Sequence, residues 1–229
     1  MRKVLTTFGT GDHAKLLEVS APLMARYAAR HGYGFYLPTE NQLVGGIAQE
    51  EWALSGEYAR NVYRENHSWL KIPLICRLFR EGADTVVWID ADVIIADGTE
   101  DIVDSVRLWS PLSMVVQRTA DGGVPSCGVM VACQPAVRTL VEAWRAKPRS
   151  DRVQCWWEQA NIIDVLGGDT SRTPIVTPPK SDRWGELPYH WNPHPNDPRG
   201  IPEDCRFFHA TAVPDRLGEM KKWASKANW

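Results

Sequence analysis

Two carboxylates stand one residue apart in Asp90-Ala91-Asp92, directly after the run Thr85-Val86-Val87-Trp88-Ile89. Side chains alternate faces along extended backbone, so both acids point the same way if the strand continues through them. Neighbouring acids at the end of a buried strand repel unless a cation or hydrogen-bond donors compensate. Their oxygens suit a hard divalent ion, Mn²⁺ or Mg²⁺, which takes few protein carboxylates and fills its shell with water and substrate phosphate. The plainer alternative is that one Asp ends the strand and the other caps a turn, and the spacing alone does not choose. His209, after the short apolar run Phe207-Phe208, is the best-placed third ligand among six histidines; a buried structural histidine is the competing reading. Glu158-Gln159 opens a helical stretch, where an acid can simply serve the helix dipole. Lys71 and Arg77 flank the segment before the Asp pair, with solvated surface charge as the default reading.

The elements that must position these residues read as an α/β pattern. The β-branched and aromatic run 85–89 is a buried strand. Before it, Ile72, Ile75, Cys76 and Phe79 fall on one helical face, and Gly82 ends that helix. The Asp pair therefore belongs at the C-terminal edge of a strand, where open α/β sheets bind ligands. At the start of the chain, residues 4–8 form a strand and Gly9-Thr10-Gly11-Asp12 a turn with Asp12 as cap. Residues 13–30 form a helix, kinked at Pro22 or restarted with Ser20 as cap, and 35–37 a second strand. Gly9-Thr10-Gly11 lacks the third glycine of a dinucleotide fingerprint and the lysine of a P-loop. Residues 41–66 read as a loop or short surface helix. Helices are expected at 101–108, 135–146 and 156–166, strands at 112–117, 127–132, 173–177 and 206–209, and a Gly/Pro loop at 119–126.

Nine of the sixteen prolines lie between Pro174 and Pro214, together with Trp184, Tyr189, Trp191 and His194. That is too Pro-rich for regular structure and too aromatic for a disordered linker, so an ordered irregular segment over the sheet edge is expected. At 229 residues the chain is expected to be one domain. A net charge of −2, with both signs mixed throughout, gives no face for nucleic acid or anionic membrane. Five scattered cysteines without a CxxC pair argue against a disulfide framework and a zinc site, and no stretch is long and apolar enough to span a bilayer. A cytoplasmic location is the expectation. Eleven tryptophans is an unusual number; most are expected in core or subdomain packing and a minority as flat stacking surfaces for sugars or bases.

Several blocks, in order, resemble the GT-A-fold glycosyltransferases. The likeness is nearest to the galactosyl- and xylosyltransferases of the yeast galactomannan and plant xyloglucan type, and more distant to the glycogenin and lipopolysaccharide galactosyltransferase group. The blocks are Tyr27-Ala28-Ala29-Arg30-His31-Gly32-Tyr33, His67-Ser68-Trp69-Leu70-Lys71, Val87-Trp88-Ile89-Asp90-Ala91-Asp92, Cys127-Gly128-Val129-Met130-Val131, Trp157-Glu158-Gln159-Ala160 and Phe208-His209-Ala210. The resemblance implies a single α/β domain with a mixed, mostly parallel Rossmann-like sheet. Residues 1–110 would form the nucleotide-binding half and 111–229 the acceptor side. It implies transfer of a sugar from a nucleotide-sugar donor, a UDP-sugar in the family's pattern, to a hydroxyl acceptor with retained configuration. Asp90, Asp92 and His209 would surround Mn²⁺ or Mg²⁺, with Ala91 in the donor turn. Thr6, Thr7, Phe8 and Gly9 would contact base and ribose, and Lys71 or Arg77 the diphosphate. Gln159 and Glu158 would face the reacting sugar carbon, and the acceptor would lie under the Pro/Trp-rich segment 178–198. Two other readings compete. One is a nucleotide-sugar or carbohydrate-binding module without turnover. The other is an aspartyl-nucleophile phosphatase, echoed by Asp97-Gly98-Thr99, although that motif normally follows a first strand.

Overall fold

The computed structural model describes residues 1–43, 66–106, 110–120, 122–154 and 156–229; most of the expected loop at 41–66 lies outside them. Strand β1 (Lys3–Thr6), helix α1 (Asp12–His31) and strand β2 (Gly34–Tyr36) form the expected parallel βαβ unit. Helix α2 (Lys71–Arg80) leads into β3 (Thr85–Ile89), which pairs parallel with β1 on the other side. Strands β5 (Leu112–Thr119), β6 (Gly122–Cys133) and β7 (Trp184–Glu186) extend the sheet to the order β2-β1-β3-β6-β5-β7. β6 is antiparallel to both neighbours, while β7 runs parallel to β5. A second, two-stranded sheet joins β4 (Val93–Ile95) to β8 (Phe207–His209). Helices α3 (Ala136–Arg145), α4 (Trp157–Val165) and α5 (Arg216–Ala224) complete the chain.

The alternation of β3 sorts its side chains between two cores. Val86 and Trp88 join the cluster under α2 and α3, whereas Val87 and Ile89 join the one under α1. This double coverage is why the strand reads as an unbroken apolar run.

Several expectations are corrected. α1 runs unbroken through Pro22, and Ser20 is no cap: its hydroxyl donates to Ala91 O at 2.8 Å. Gly11 rather than Asp12 occupies the cap position. The helix does end as read, with Gly32 at φ 71° and its N–H on Ala28 O. Within the Gly/Pro loop expected at 119–126, residues 122–126 already belong to β6 and pair with β5. The strand expected at 173–177 is reduced to isolated bridges at Ile175 and Val176. The helix expected from 101 is a 3-10 turn, Ile102–Ser105. The Pro-rich segment contributes one edge strand, β7, and buries Trp184 and Trp191 completely.

Candidate active site

The C-terminal ends of β1 and β3 open into a cleft of about 810 Å³, lined among others by Gly9, Lys71, Asp90, Asp92, Glu158 and His209. β3 stops at Ile89, and Asp90-Ala91-Asp92 folds into a turn, with Val93 N–H donating to Asp90 O at 3.1 Å. Of the two backbone readings left open for the pair, the strand end and turn is the one found, and it delivers both carboxylates to the cleft. The turn is pinned from behind by the Ser20 hydroxyl on Ala91 O.

His209 arrives through strand pairing. β4 starts immediately after Asp92, and Val93 opposes His209 in the β4–β8 ladder. Ala210 N–H donates to Asp92 O at 2.9 Å, and His209 Nε2 lies 3.3 Å from Asp92 Oδ1. One ligand atom from each of Asp90, Asp92 and His209 lies within 4.8 Å of the others. Two oxygens and an imidazole nitrogen converging this closely fit a divalent ion such as Mn²⁺. The buried His209 Nδ1 has no partner among the described residues.

Packing at β6 makes this convergence possible. Between Met114 and Val115, β5 advances one residue while β6 advances from Met130 to Ser126. The resulting bulge turns Cys127 and Gly128 toward the site. Cys127 O accepts from Lys71 Nζ at 3.3 Å, and Cys127 N–H donates to Gln159 Oε1 at 2.9 Å. Gly128 lies directly against the His209 ring, leaving no room for a Cβ.

Charges in the cleft are paired in a defined way. Lys71 is buried, with Nζ 3.0 Å from Asp90 Oδ1 and 2.8 Å from Glu158 Oε1. Burial disfavours its ammonium, but the charges of Asp90 and Glu158 outweigh that and hold its pKa above the ordinary lysine value. Asp90 Oδ1 also accepts from Trp88 Nε1 at 2.6 Å. Burial raises the Asp90 pKa; Lys71 opposes the shift and Asp92 adds to it. For Asp92, burial acts upward, yet His209, Arg216 and His13 bring it well below the carboxylate range. Burial, reinforced by the nearby His209, lowers His194 to about 4.

The other expected residues divide. Ala91, Phe8 and Gly9 line the cleft, and Gly9 is required there because a Cβ would lie 2.5 Å from His13 O. Thr6 and Thr7 are fully buried behind it; Thr6 Oγ1 donates to Tyr36 O at 2.9 Å. Gln159 and Glu158 both line the cleft. Both oxygens of Glu158 are taken, Oε1 by Lys71 and Oε2 by the Ser68 hydroxyl at 2.6 Å. Arg77 is not brought in. Six residues after Lys71 it lies about 9 Å further along the helix and on another face, and its Nε pairs with Glu81 at 2.7 Å. The phosphatase-like Asp97-Gly98-Thr99 is structural: Asp97 binds Arg206 and caps Thr99 N–H, and Gly98 lies beneath the Trp229 ring.

Residues not singled out for the site also line it: His13, Gln117, His194 and Arg216. Arg216 Nη1 lies 3.4 Å from Asp92 Oδ2 and 3.2 Å from His13 Nε2. Its sequence signal is the cap before it, Asp215, whose carboxylate accepts from Gly218 N–H.

No family model and no curated protein matches the sequence. Similarity appears in three dimensions. A glycosyltransferase involved in glycosylation of the major capsid of PBCV-1 aligns over 97% of this chain and 100% of its own, at 16% identity and TM-score 0.64. The galactosyltransferase LgtC, solved in complex with donor and acceptor sugar analogs, aligns over 98% and 96%, at 12% identity and TM-score 0.56. Mouse xyloside xylosyltransferase 1 aligns over 93% and 100%, at 10% identity and TM-score 0.54. The chain has the GT-A fold. In this GT-A chain the acidic turn, β8 and the start of α4 all meet at one cleft.

Proposed function

We propose that this protein is a metal-dependent glycosyltransferase that moves a sugar from a UDP-sugar to a hydroxyl acceptor with retention of configuration. The observation that carries the reading is the convergence of Asp90, Asp92 and His209 in the cleft that Gln159 also lines. The GT-A fold, shared with transferases of several acceptors, supports it. Asp90, Asp92 and His209 would hold Mn²⁺ or Mg²⁺, which when bound supplies Lewis-acid stabilisation of a diphosphate leaving group.

The chain's own residues perform the rest. Phe8 and Gly9 border the space for base and ribose. Lys71 carries positive charge into the cleft floor, held by Asp90 and Glu158. The anomeric carbon–phosphate oxygen bond breaks with its electron pair leaving on the nucleoside diphosphate, the acceptor hydroxyl oxygen bonds to the same face of that carbon, and the hydroxyl proton passes to the departing diphosphate oxygen. Glu158 is tied by Lys71 and Ser68, so it orients the site rather than attacking. Gln159 is a poor nucleophile, which favours front-face substitution with electrostatic support over a covalent intermediate. A reducing, cytoplasmic location is proposed from the scattered cysteines without a CxxC pair. Among the described residues no helix is long and apolar enough to cross a membrane.

Titration calorimetry of UDP with Mn²⁺ against Asp92→Ala tests the reading. Binding should disappear from a protein that still melts cooperatively, and unchanged affinity would overturn the metal assignment. Incubation of the wild type with UDP- and GDP-sugars plus Mn²⁺ should show slow hydrolysis of one donor. Binding without turnover, with or without added acceptors, would indicate a binding module instead.

A further inference from the structure

One wall of the cleft is not used by the donor chemistry above. Its outer part is Trp157, the one aromatic among the large hydrophobic side chains exposed in the described residues, at 37%. Trp157 opens α4 with a φ of 47°. Bulky side chains rarely adopt this left-handed backbone, and such strain persists where the surroundings impose it. Its inner part is Gln117, only 5% exposed. Gln117 Nε2 donates to Asn192 O, while its Oε1 has no partner among the described residues. A buried amide oxygen left unpaired is unfavourable, so a ligand hydroxyl that supplies a donor is favoured there.

The two parts are physically joined. Gln117 faces Val124 across the β5–β6 ladder, and Trp156 packs on the small core that contains Val124. Lys71, Asp90, Asp92, Glu158 and Arg216, the charged side chains that line the cleft, are linked to one another or to His209 around the acidic turn. The wall of Gln117, Val124, Trp156 and Trp157 carries no charge. Val124 lies four residues before Gly128 on β6, up to about 13 Å from the His209 contact. The cleft volume of about 810 Å³ is in the upper part of the range for ligand sites, which leaves room for a ring beyond a nucleotide-sugar.

We infer that this wall is the acceptor subsite and takes a neutral pyranose, its C–H face against the Trp157 indole and one hydroxyl donated to Gln117 Oε1. This rests on the transferase reading for the word acceptor, but the binding itself does not. A flat indole beside an unfilled amide acceptor matches a sugar, which presents an apolar face and a rim of hydroxyl donors. An acidic sugar would meet no cation on this wall. A peptide acceptor would be held by backbone hydrogen bonds that the indole face does not offer.

Saturation-transfer NMR on the full chain with diamagnetic Mg²⁺ and UDP, using methyl glucosides, galactosides, mannosides and xylosides as probes, tests the inference. At least one pyranoside should bind, with transfer strongest to protons of one ring face. Trp157→Ala should weaken it about tenfold or more, and Trp157→Phe should restore most of it. Gln117→Met should weaken the same probe without altering the ring-face pattern. UDP–Mn²⁺ calorimetry and thermal melting report whether each variant is folded. Binding of no pyranoside, equal binding by Trp157→Ala, or preferred binding of a Ser/Thr peptide displaced by the same variant would overturn the subsite. Pyranoside binding lost in Trp157→Ala by a protein that turns over no sugar nucleotide would keep the subsite and remove the transferase reading.

Discussion

Gly128 and His209 share one van der Waals boundary: a Cβ on residue 128 would lie 2.7 Å from His209 Nδ1 and closer still to Cε1. The imidazole sits where a side chain would otherwise be, and the backbone behind it is the β6 bulge. Gly128→Ala should push the ring off its line with Asp90 and Asp92. Displacing a ligand's support typically costs 10–100-fold in metal affinity, so a Mn²⁺ titration followed by electron paramagnetic resonance should show a loss of about that size. Wild-type affinity in this variant would mean that His209 is not a ligand.

Lys71 is the sole lysine placed between two buried or half-buried acids in the described cleft. Lys71→Met would leave Asp90 and Glu158 uncompensated, a change that costs about 3–5 kcal/mol when one partner of a buried pair is removed. Adding Glu158→Gln should recover part of the loss, so the double variant should be more stable than the sum of the single changes. Urea denaturation of the four proteins gives the comparison.

Asp101 links the two ends of the first βαβ unit. Its carboxylate takes Lys3 Nζ at 2.5 Å and the Tyr33 hydroxyl, and caps Val103 N–H. Burial acts to raise its pKa, but the bonds from Lys3 and Tyr33 bring it below the usual value. A depressed folded pKa means the stabilisation is present above the unfolded value, about 3.9, and is lost as pH falls through the folded value. Asp101→Asn should therefore destabilise by about 1.5–3 kcal/mol at pH 7. The gap from wild type should shrink in denaturation curves recorded progressively below about pH 4.

How much of this was legible in the sequence follows from the range of each interaction. The βαβ start, the buried run of β3 and the acidic pair are local patterns, and the structure contains all three. The turn at Asp90 stood as one of two open readings; what was not legible is that Val93-Ile94-Ile95 leaves the sheet of β3 and pairs with β8 in a different one. Pro22 looked like a break, but tertiary packing of Met24, Tyr27 and Ala28 carries α1 through it. The start of β6 at 122–126 was hidden by Gly and Pro, residues that strands tolerate at bulges and edges. Within the cleft, Lys71 and His209 could be named from ordered motifs, and Gly128 stood in one of them, whereas the contacts through which Gly128, Gln117 and Arg216 matter join residues 75 to 124 apart in the chain, which no local pattern records.

Gln159 separates binding from turnover. Its Oε1 is occupied by Cys127 N–H at 2.9 Å, so Nε2 is the group it can direct into the cleft. If that amide stabilises charge only as the glycosidic bond breaks, Gln159→Ala should lower kcat about 100-fold. UDP affinity should change by no more than about threefold, the signature of an interaction made in the transition state. Gln159→Glu keeps an acceptor for Cys127 N–H but offers the cleft a negative charge in place of a donor. It should be at least as slow as Gln159→Ala in single-turnover assays with the donor identified by hydrolysis screening. Equal losses of kcat and donor affinity in Gln159→Ala would make the residue part of the binding surface.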